Sequence, residues 1–336
     1  MRDKCLISRR EFVQGAGVAV GGALLGGVPP APAATNKGDI PRRILGRTQQ
    51  SVTMLGMGTS ANGQSSSFTE RDVADHILAG LEQGVRFIDG ARAYGAGKAE
   101  RGIGMVLPPF RKEVFLTTKV RVSTIPECEE SFSNSLKDTK TDYVDLLYLH
   151  NVGDRPRAVI DRALEPDGIL TWVVKQKKLG KARFVGISGH NLPQRFLPLI
   201  RSGLVDVLMV PINFVMHHIY GFEDNILPAA REQNMGIVAM KVFGGNRGGF
   251  PAVRGPATPP QMPEKHLELA VRYALSVPGV AVVNIGPQHV DHVAQNIAMV
   301  KKFRPLNDDE QAHVARLGRQ LAESWGPLFG PVTEPA

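Results

Sequence analysis

The sequence predicts a single-domain (β/α)8 TIM barrel preceded by a cleavable signal peptide. Three observations predict the barrel. Eight apolar runs rich in β-branched residues recur between residues 51 and 286. Helix-like segments separate them, with apolar residues at three- and four-residue spacing. The chain, 336 residues and 43% hydrophobic, is long enough for one large core, and barrels of this size form single domains. Alternating strand and helix implies a parallel sheet, and eight such units imply closure. An open doubly wound sheet is the structural rival.

The first 34 residues differ in kind. MRDKCLISRR carries positive charge, Phe12 to Val28 is uncharged and rich in Gly, Ala and Val, and VPPAPAA follows. That is a charged start, an apolar core and a small-residue cleavage site. Ala31-Pro32-Ala33 fits the A-x-A pattern, so residues 1–33 are the expected signal, cut after Ala33. SRREF, Ser8 to Phe12, resembles a twin-arginine signal, and the glycine-tempered core after it is similar to the mild cores of such signals. The resemblance implies recognition by the twin-arginine (Tat) export machinery and a periplasmic, exported protein. An uncleaved anchor is the alternative, but the segment is short against the ~20 residues that span a bilayer. GAGVAVGG, Gly15 to Gly22, mimics a dinucleotide fingerprint without the strand before it or the acidic residue after it that the motif needs. Cleavage removes Cys5 and leaves Cys128 alone, so no internal disulfide is expected.

The remaining elements follow in order. PRRILGRTQQ reads as a short hairpin that closes the barrel floor, within an arm of residues 34–50. The barrel is expected over 51–303. Its strand runs are SVTMLGMG (51–58), VRFIDGA (85–91), EVFLTTKV (113–120), YVDLLYLHNV (143–152), ARFVGISGH (182–190), VDVLMVPIN (205–213), GIVAMKVFG (236–244) and VAVVNIG (280–286). In the first long helix Thr69 reads as the N-cap and Gly84 as the stop. GGNRGGFPAVRGPATPPQMP, 244–263, is too long and too rich in Gly and Pro for a simple connection and reads as a lid or binding loop. A last helix, DDEQAHVARLGRQLAESW, lies in the C-terminal region 304–336.

Chemistry in such barrels sits where strands end. The polar residues there are Asp89 with Tyr94 just beyond, Lys119, His150, Ser188 with His190, Asn213 and Lys241. Each alone has an ordinary explanation: a loop cap, a ring packed on the rim, a snorkelling lysine, a satisfied core histidine. Together, the first four converge on three successive strands whose neighbours are about 5 Å apart. A tyrosine titrates near 10, a lysine beside it lowers that value, an aspartate holds the lysine, and a histidine can orient a substrate oxygen. Such a set protonates an oxygen as charge develops on it, an acid contribution worth roughly 10²–10⁴ in rate.

These residues resemble the aldo-keto reductase family. FIDGARAYG stands where that family carries D-T-A-x-x-Y-G, and LTTKV and LLYLHNV where it carries its lysine and histidine. The resemblance covers about residues 40 to 303. It implies hydride transfer between NADP or NAD and a small aldehyde or ketone. Tyr94 would be the general acid, Asp89 and Lys119 its tuning partners, and His150 the orienter of the carbonyl. For the cofactor it implies Ser188, with Gly189 where the family has asparagine, and Asn213 in place of an absent strand-six glutamine. It further implies Lys241 lining the groove and Gly244 in the loop over the pyrophosphate. Gly286 and His292 stand where a lysine and an arginine often hold a 2′-phosphate, and Gln295 and Asn296 match the adenine end.

Other classes are weighed beside this one. Lys241 could form a Schiff base, as in barrel lyases. A non-catalytic module that senses a nicotinamide is a third possibility. Neither His217-His218 nor His289 with His292 has an acidic cluster to complete a metal site. The net charge of +8 comes without a basic block interleaved with aromatics, which argues against nucleic acid.

Overall fold

The computed structural model describes residues 39–334 apart from 122, 156 and 246–260. The expected signal and most of the 244–263 loop therefore lie outside the described residues. Two short strands, β1 (Arg42–Ile44) and β2 (Ser51–Thr53), pair antiparallel. Eight more close a parallel barrel: β3 (Leu55–Gly58), β4 (Phe87–Asp89), β5 (Phe115–Arg121), β6 (Val144–His150), β7 (Ala182–Ser188), β8 (Val207–Pro211), β9 (Gly236–Met240) and β10 (Val280–Ile285). Each neighbours the next in sequence, and β10 pairs with β3 to complete the ring. This is the expected (β/α)8 barrel, not the open sheet.

Strand alternation explains where the polar residues end up. Successive side chains point to opposite faces. On β6, Leu146 and Tyr148 face the barrel interior while Leu147 and Leu149 pack outward under the helices. Two residues beyond Tyr148, His150 shares the inward face. On β5, Phe115 is interior and Leu116 and Val120 are outward, so Thr117, Lys119 and Arg121 face in. Likewise Phe87 precedes Asp89, and Val282 precedes Asn284. The lower interior is thus apolar, with Phe87 stacked on Phe115 at 5.4 Å, and the upper layer is polar. Both faces of each strand are buried, which is why the strands read as near-continuous apolar runs.

The first apolar run, 51–58, divides between two sheets. Ser51–Thr53 belongs to the hairpin, and Leu55–Gly58 to the barrel. The corner is held by the Thr53 hydroxyl, which donates to Leu55 O at 2.8 Å and accepts from Arg86 N at 3.1 Å. The hairpin sends Leu45 and Val52 into the interior apolar cluster and so closes the floor. Thr69 caps the helix Glu70–Glu82 through a reciprocal box with Asp72, and Gly84 follows with φ +93. The last helix, Asp308–Trp325, begins with the same device at Asn307 and Glu310. Glu310 then holds Arg272 at 2.6 Å and Arg304 at 2.8 Å.

Candidate active site

Asp89 ends β4 and is buried. Its Oδ1 accepts from Lys119 Nζ at 2.5 Å and from Thr117 Oγ1 at 2.6 Å. Its Oδ2 accepts from Asn284 Nδ2 at 3.0 Å. Lys119 Nζ also donates to Gly90 O at 2.8 Å and lies 4.9 Å from the Tyr94 ring centroid. The His150 ring meets Tyr94 edge-on at 5.9 Å. Asp89, Lys119, Tyr94 and His150 therefore come together at one end of the barrel.

The loop that carries Tyr94 depends on its glycines. Gly95, Ala96 and Gly97 are all left-handed, a conformation costly for residues with a Cβ. A Cβ on Gly95 would fall 2.1 Å from Gly63 O. Lys98 then staples the loop by donating to Ser65 O and Phe68 O. These glycines make the turn that places Tyr94.

Burial sets the acid–base character. It pushes the Tyr94 phenol above its ordinary value, although Lys119 and hydrogen bonds from Lys119 and Ser60 pull the other way. Tuning by lysine alone, as the sequence suggests, is outweighed by desolvation of the phenolate. Tyr94 therefore stays protonated at neutral pH. Burial also opposes the Lys119 charge, but Asp89 and Tyr94 more than restore it, so the ammonium persists. His150 falls well below the usual histidine range through burial and then the charges of Lys119, His190, Arg121 and Arg155. A neutral imidazole can donate to a carbonyl oxygen without supplying its proton.

Above this group opens a cleft of about 480 Å³, within the ~300–1,000 Å³ of small-molecule sites. Asp89, Tyr94, His150, Lys241, Gly244, Gly286, Gln295 and Asn296 all line it, as do His190 and His292. Lys119 sits behind Asp89 and Tyr94. Ser188 ends β7, is buried and is not among the residues lining the cleft; no described residue satisfies its hydroxyl. Asn213 is placed differently. It is fully buried, its Oδ1 accepts from Val215 N and Met216 N, and its Nδ2 donates to Lys241 O. Its amide is spent on the backbone, so the structure does not bring it to the cleft as a glutamine substitute.

The fit to a dinucleotide rests on three features. The unsatisfied Ser188 hydroxyl suits an amide. Gly286 lines the cleft without a side chain, packed so tightly on the end of β3 that a Cβ would lie 2.9 Å from Gly58 O. The base of the 244–263 loop is pinned by a bridge from Gly244 to Gln261 and by Gln261 donating to Gly245 O at 3.0 Å. Gly189 also has a reason. A Cβ there would meet Phe196 at 2.7 Å and Gly153 N at 3.1 Å, so no asparagine fits. Lys241 is pulled down to about 7 by burial and by Lys119. Sequence reasoning missed Asn284, because its partner lies across the closing seam of the barrel, and Arg121, which lines the cleft.

Residues 54–319 match the model described as the aldo/keto reductase family. The chain is 25% identical to the L-galactose dehydrogenase of Arabidopsis thaliana over 305 residues, covering 80% of this chain and 91% of that one. It is 30% identical to the methylglyoxal reductase YeaE of Escherichia coli over 203 residues, 56% of this chain and 63% of the relative. An aldo-keto reductase of Bacillus halodurans in its holo form aligns with TM-score 0.64 at 23% identity, over 82% of this chain and 95% of that one. One from Klebsiella pneumoniae in complex with NADPH aligns with TM-score 0.61 at 20% identity, over 82% and 94%. At these identities the structural matches establish the fold.

Proposed function

The chain belongs to the aldo/keto reductase family, and from that premise we propose that it interconverts a small aldehyde or ketone and its alcohol with NADP or NAD. The observation that carries the reading is the Asp89–Lys119–Tyr94 group with His150 at the base of the cleft. When bound, the nicotinamide dinucleotide supplies or takes the hydride. Gly244, Gly286, Gln295, Asn296 and the Ser188 hydroxyl would hold it, with Lys241 along the groove. The solved Klebsiella pneumoniae relative with NADPH supports this ligand.

The chain's own part is to manage the oxygen. His150, neutral, donates a hydrogen bond to the carbonyl oxygen and orients it. Tyr94, held protonated by burial, gives its proton as negative charge develops on that oxygen. Lys119, kept charged by Asp89, stabilises the phenolate left behind. In the oxidative direction the same phenolate takes the proton back. Tyr94→Phe is expected to lower kcat for carbonyl reduction by about 10²–10⁴, with dinucleotide affinity unchanged by fluorescence titration. Undiminished turnover in that variant would sink the reading.

One observation favours a second reading. The lowered pKa of Lys241 gives a partly neutral amine able to attack a carbonyl. Borohydride with a carbonyl substrate would then fix covalent mass on Lys241, whereas the reductase reading expects none.

We also propose that residues 1–33 direct export by the twin-arginine route, with cleavage after Ala33. Support comes from the SRREF motif and the apolar segment after it. Replacing Arg9 and Arg10 by lysine is expected to retain the protein in the cytoplasm. An N-terminus of the exported form other than Ala34 would contradict the cleavage site.

A further inference from the structure

The reading above uses Asp89, Tyr94, Lys119 and His150 for proton transfer and Lys241 along the groove, and leaves Arg121 on the cleft wall without a task. Resting on that reading, we propose that Arg121 is a specificity-determining residue that selects carbonyl substrates bearing a carboxylate a few bonds from the reacting carbon.

Arg121 is the last residue of β5, two past Lys119, so its side chain leaves the strand on the same inward face. It is paired in register with His150 on β6, and neighbouring strands lie about 4.8 Å apart. From there a guanidinium reaches a group a few bonds from a carbonyl held at His150. Arg121 is exposed and lines the cleft. Among the described residues no carboxylate pairs with it. Arginines that serve the fold behave otherwise: Arg111 holds Asp145, Arg195 holds Glu334 and Arg272 holds Glu310.

The surroundings lean the same way. Lys241, after β9, lines the same cleft and, pulled down to about 7, keeps part of its positive charge at neutral pH; His190, beyond the end of β7, also lines it and is held neutral by burial. The charges of Lys119 and Arg121 both bear on His150. Asp89 is committed to Lys119, Thr117 and Asn284, which leaves Asp154 and Glu264 as the other carboxylates along the wall. A concave site focuses such a field and draws anions. A guanidinium fork matches a carboxylate in two parallel hydrogen bonds. The dinucleotide's phosphates are not the natural partner. Gly244, Gly286 and Asn296 follow β9 and β10, and β3 and β4 separate β10 from β5 around the ring.

The test compares reduction of 4-carboxybenzaldehyde with that of neutral 4-formylbenzamide, by wild type, Arg121→Gln and Arg121→Lys. Benzoate binding to the same proteins is measured by calorimetry. Wild type is expected to favour the acid in kcat/KM by about tenfold, the worth of one charge-assisted pair. Arg121→Gln is expected to erase that preference while leaving the amide within about twofold, and Arg121→Lys to restore part of it. Equal use of both aldehydes by wild type, or an equal loss on both in Arg121→Gln, overturns the proposal while turnover of the amide leaves the reductase reading standing. Should neither aldehyde be reduced, that reading fails. The proposal is then decided by benzoate alone: weaker binding in Arg121→Gln sustains it, and equal binding overturns it.

Discussion

Asp89 has three donors on its two oxygens, and the one from Asn284 comes from a strand 195 residues away in sequence. Asn284 holds Oδ2 so that Oδ1 faces Lys119 and Thr117. Asn284→Leu removes a buried donor to a charge and is expected to lower kcat about tenfold or more, with carbonyl KM within about twofold in steady-state assays. Lys241 gives a stability signature. Its pKa is about 7 in the folded chain and about 10.4 when unfolded. Between those values the unfolded form binds more protons, so stability rises with pH there. Below about 7 the charged amine is a constant cost. Lys241→Met is therefore expected to melt above wild type in acid, with the gap closing as pH climbs through that window. The meeting of Asp89, Tyr94, Lys119 and His150 was legible because three of them stand at strand ends and Tyr94 just beyond one, each with its motif around it. Asn213 stood at a strand end too, but sequence does not show that the backbone of the next turn would consume its amide. Asn284 and Arg121 were hidden among apolar or ordinary neighbours, and only barrel closure and inward register give them meaning.

Elements position these side chains through alternation and through turns. The strands were legible because parallel strands covered on both faces are apolar throughout. Their ends were less so. The run at 51–58 hid a corner, because nothing in its composition marks where the Thr53 hydroxyl replaces sheet bonds. In the Tyr94 loop, Gly95 combines φ +62 with a contact that admits no Cβ. Gly95→Ala is expected to lower kcat by about 10–100-fold, the scale of a small misplacement of a catalytic group, while far-ultraviolet dichroism stays unchanged. Gly189 shows the limit of reading by resemblance. The absent asparagine looks like a loss until Phe196 and Gly153 are seen to fill its space. Gly189→Asn is accordingly expected to destabilise the fold and not to improve cofactor binding, as measured by thermal melting and nucleotide titration.

At the scale of the molecule, one closed ring brings together groups from residue 58 to residue 299, and the hairpin seals its floor with Leu45. Leu45→Ala is expected to cost about 2–5 kcal/mol, read as a lower urea midpoint with the cleft chemistry intact. The export proposal bears on the whole chain as well, since twin-arginine transport of a folded protein would allow a bound dinucleotide to travel with it. The most direct measurement follows a deuterium label from the transferring carbon of the reduced dinucleotide to the alcohol formed. Wild type is expected to deliver the label to the former carbonyl carbon with matching consumption of the dinucleotide, and Tyr94→Phe to slow that delivery by at least about 10². Dinucleotide consumed without label in the alcohol, or label delivered at full rate without the Tyr94 hydroxyl, would contradict the assignment.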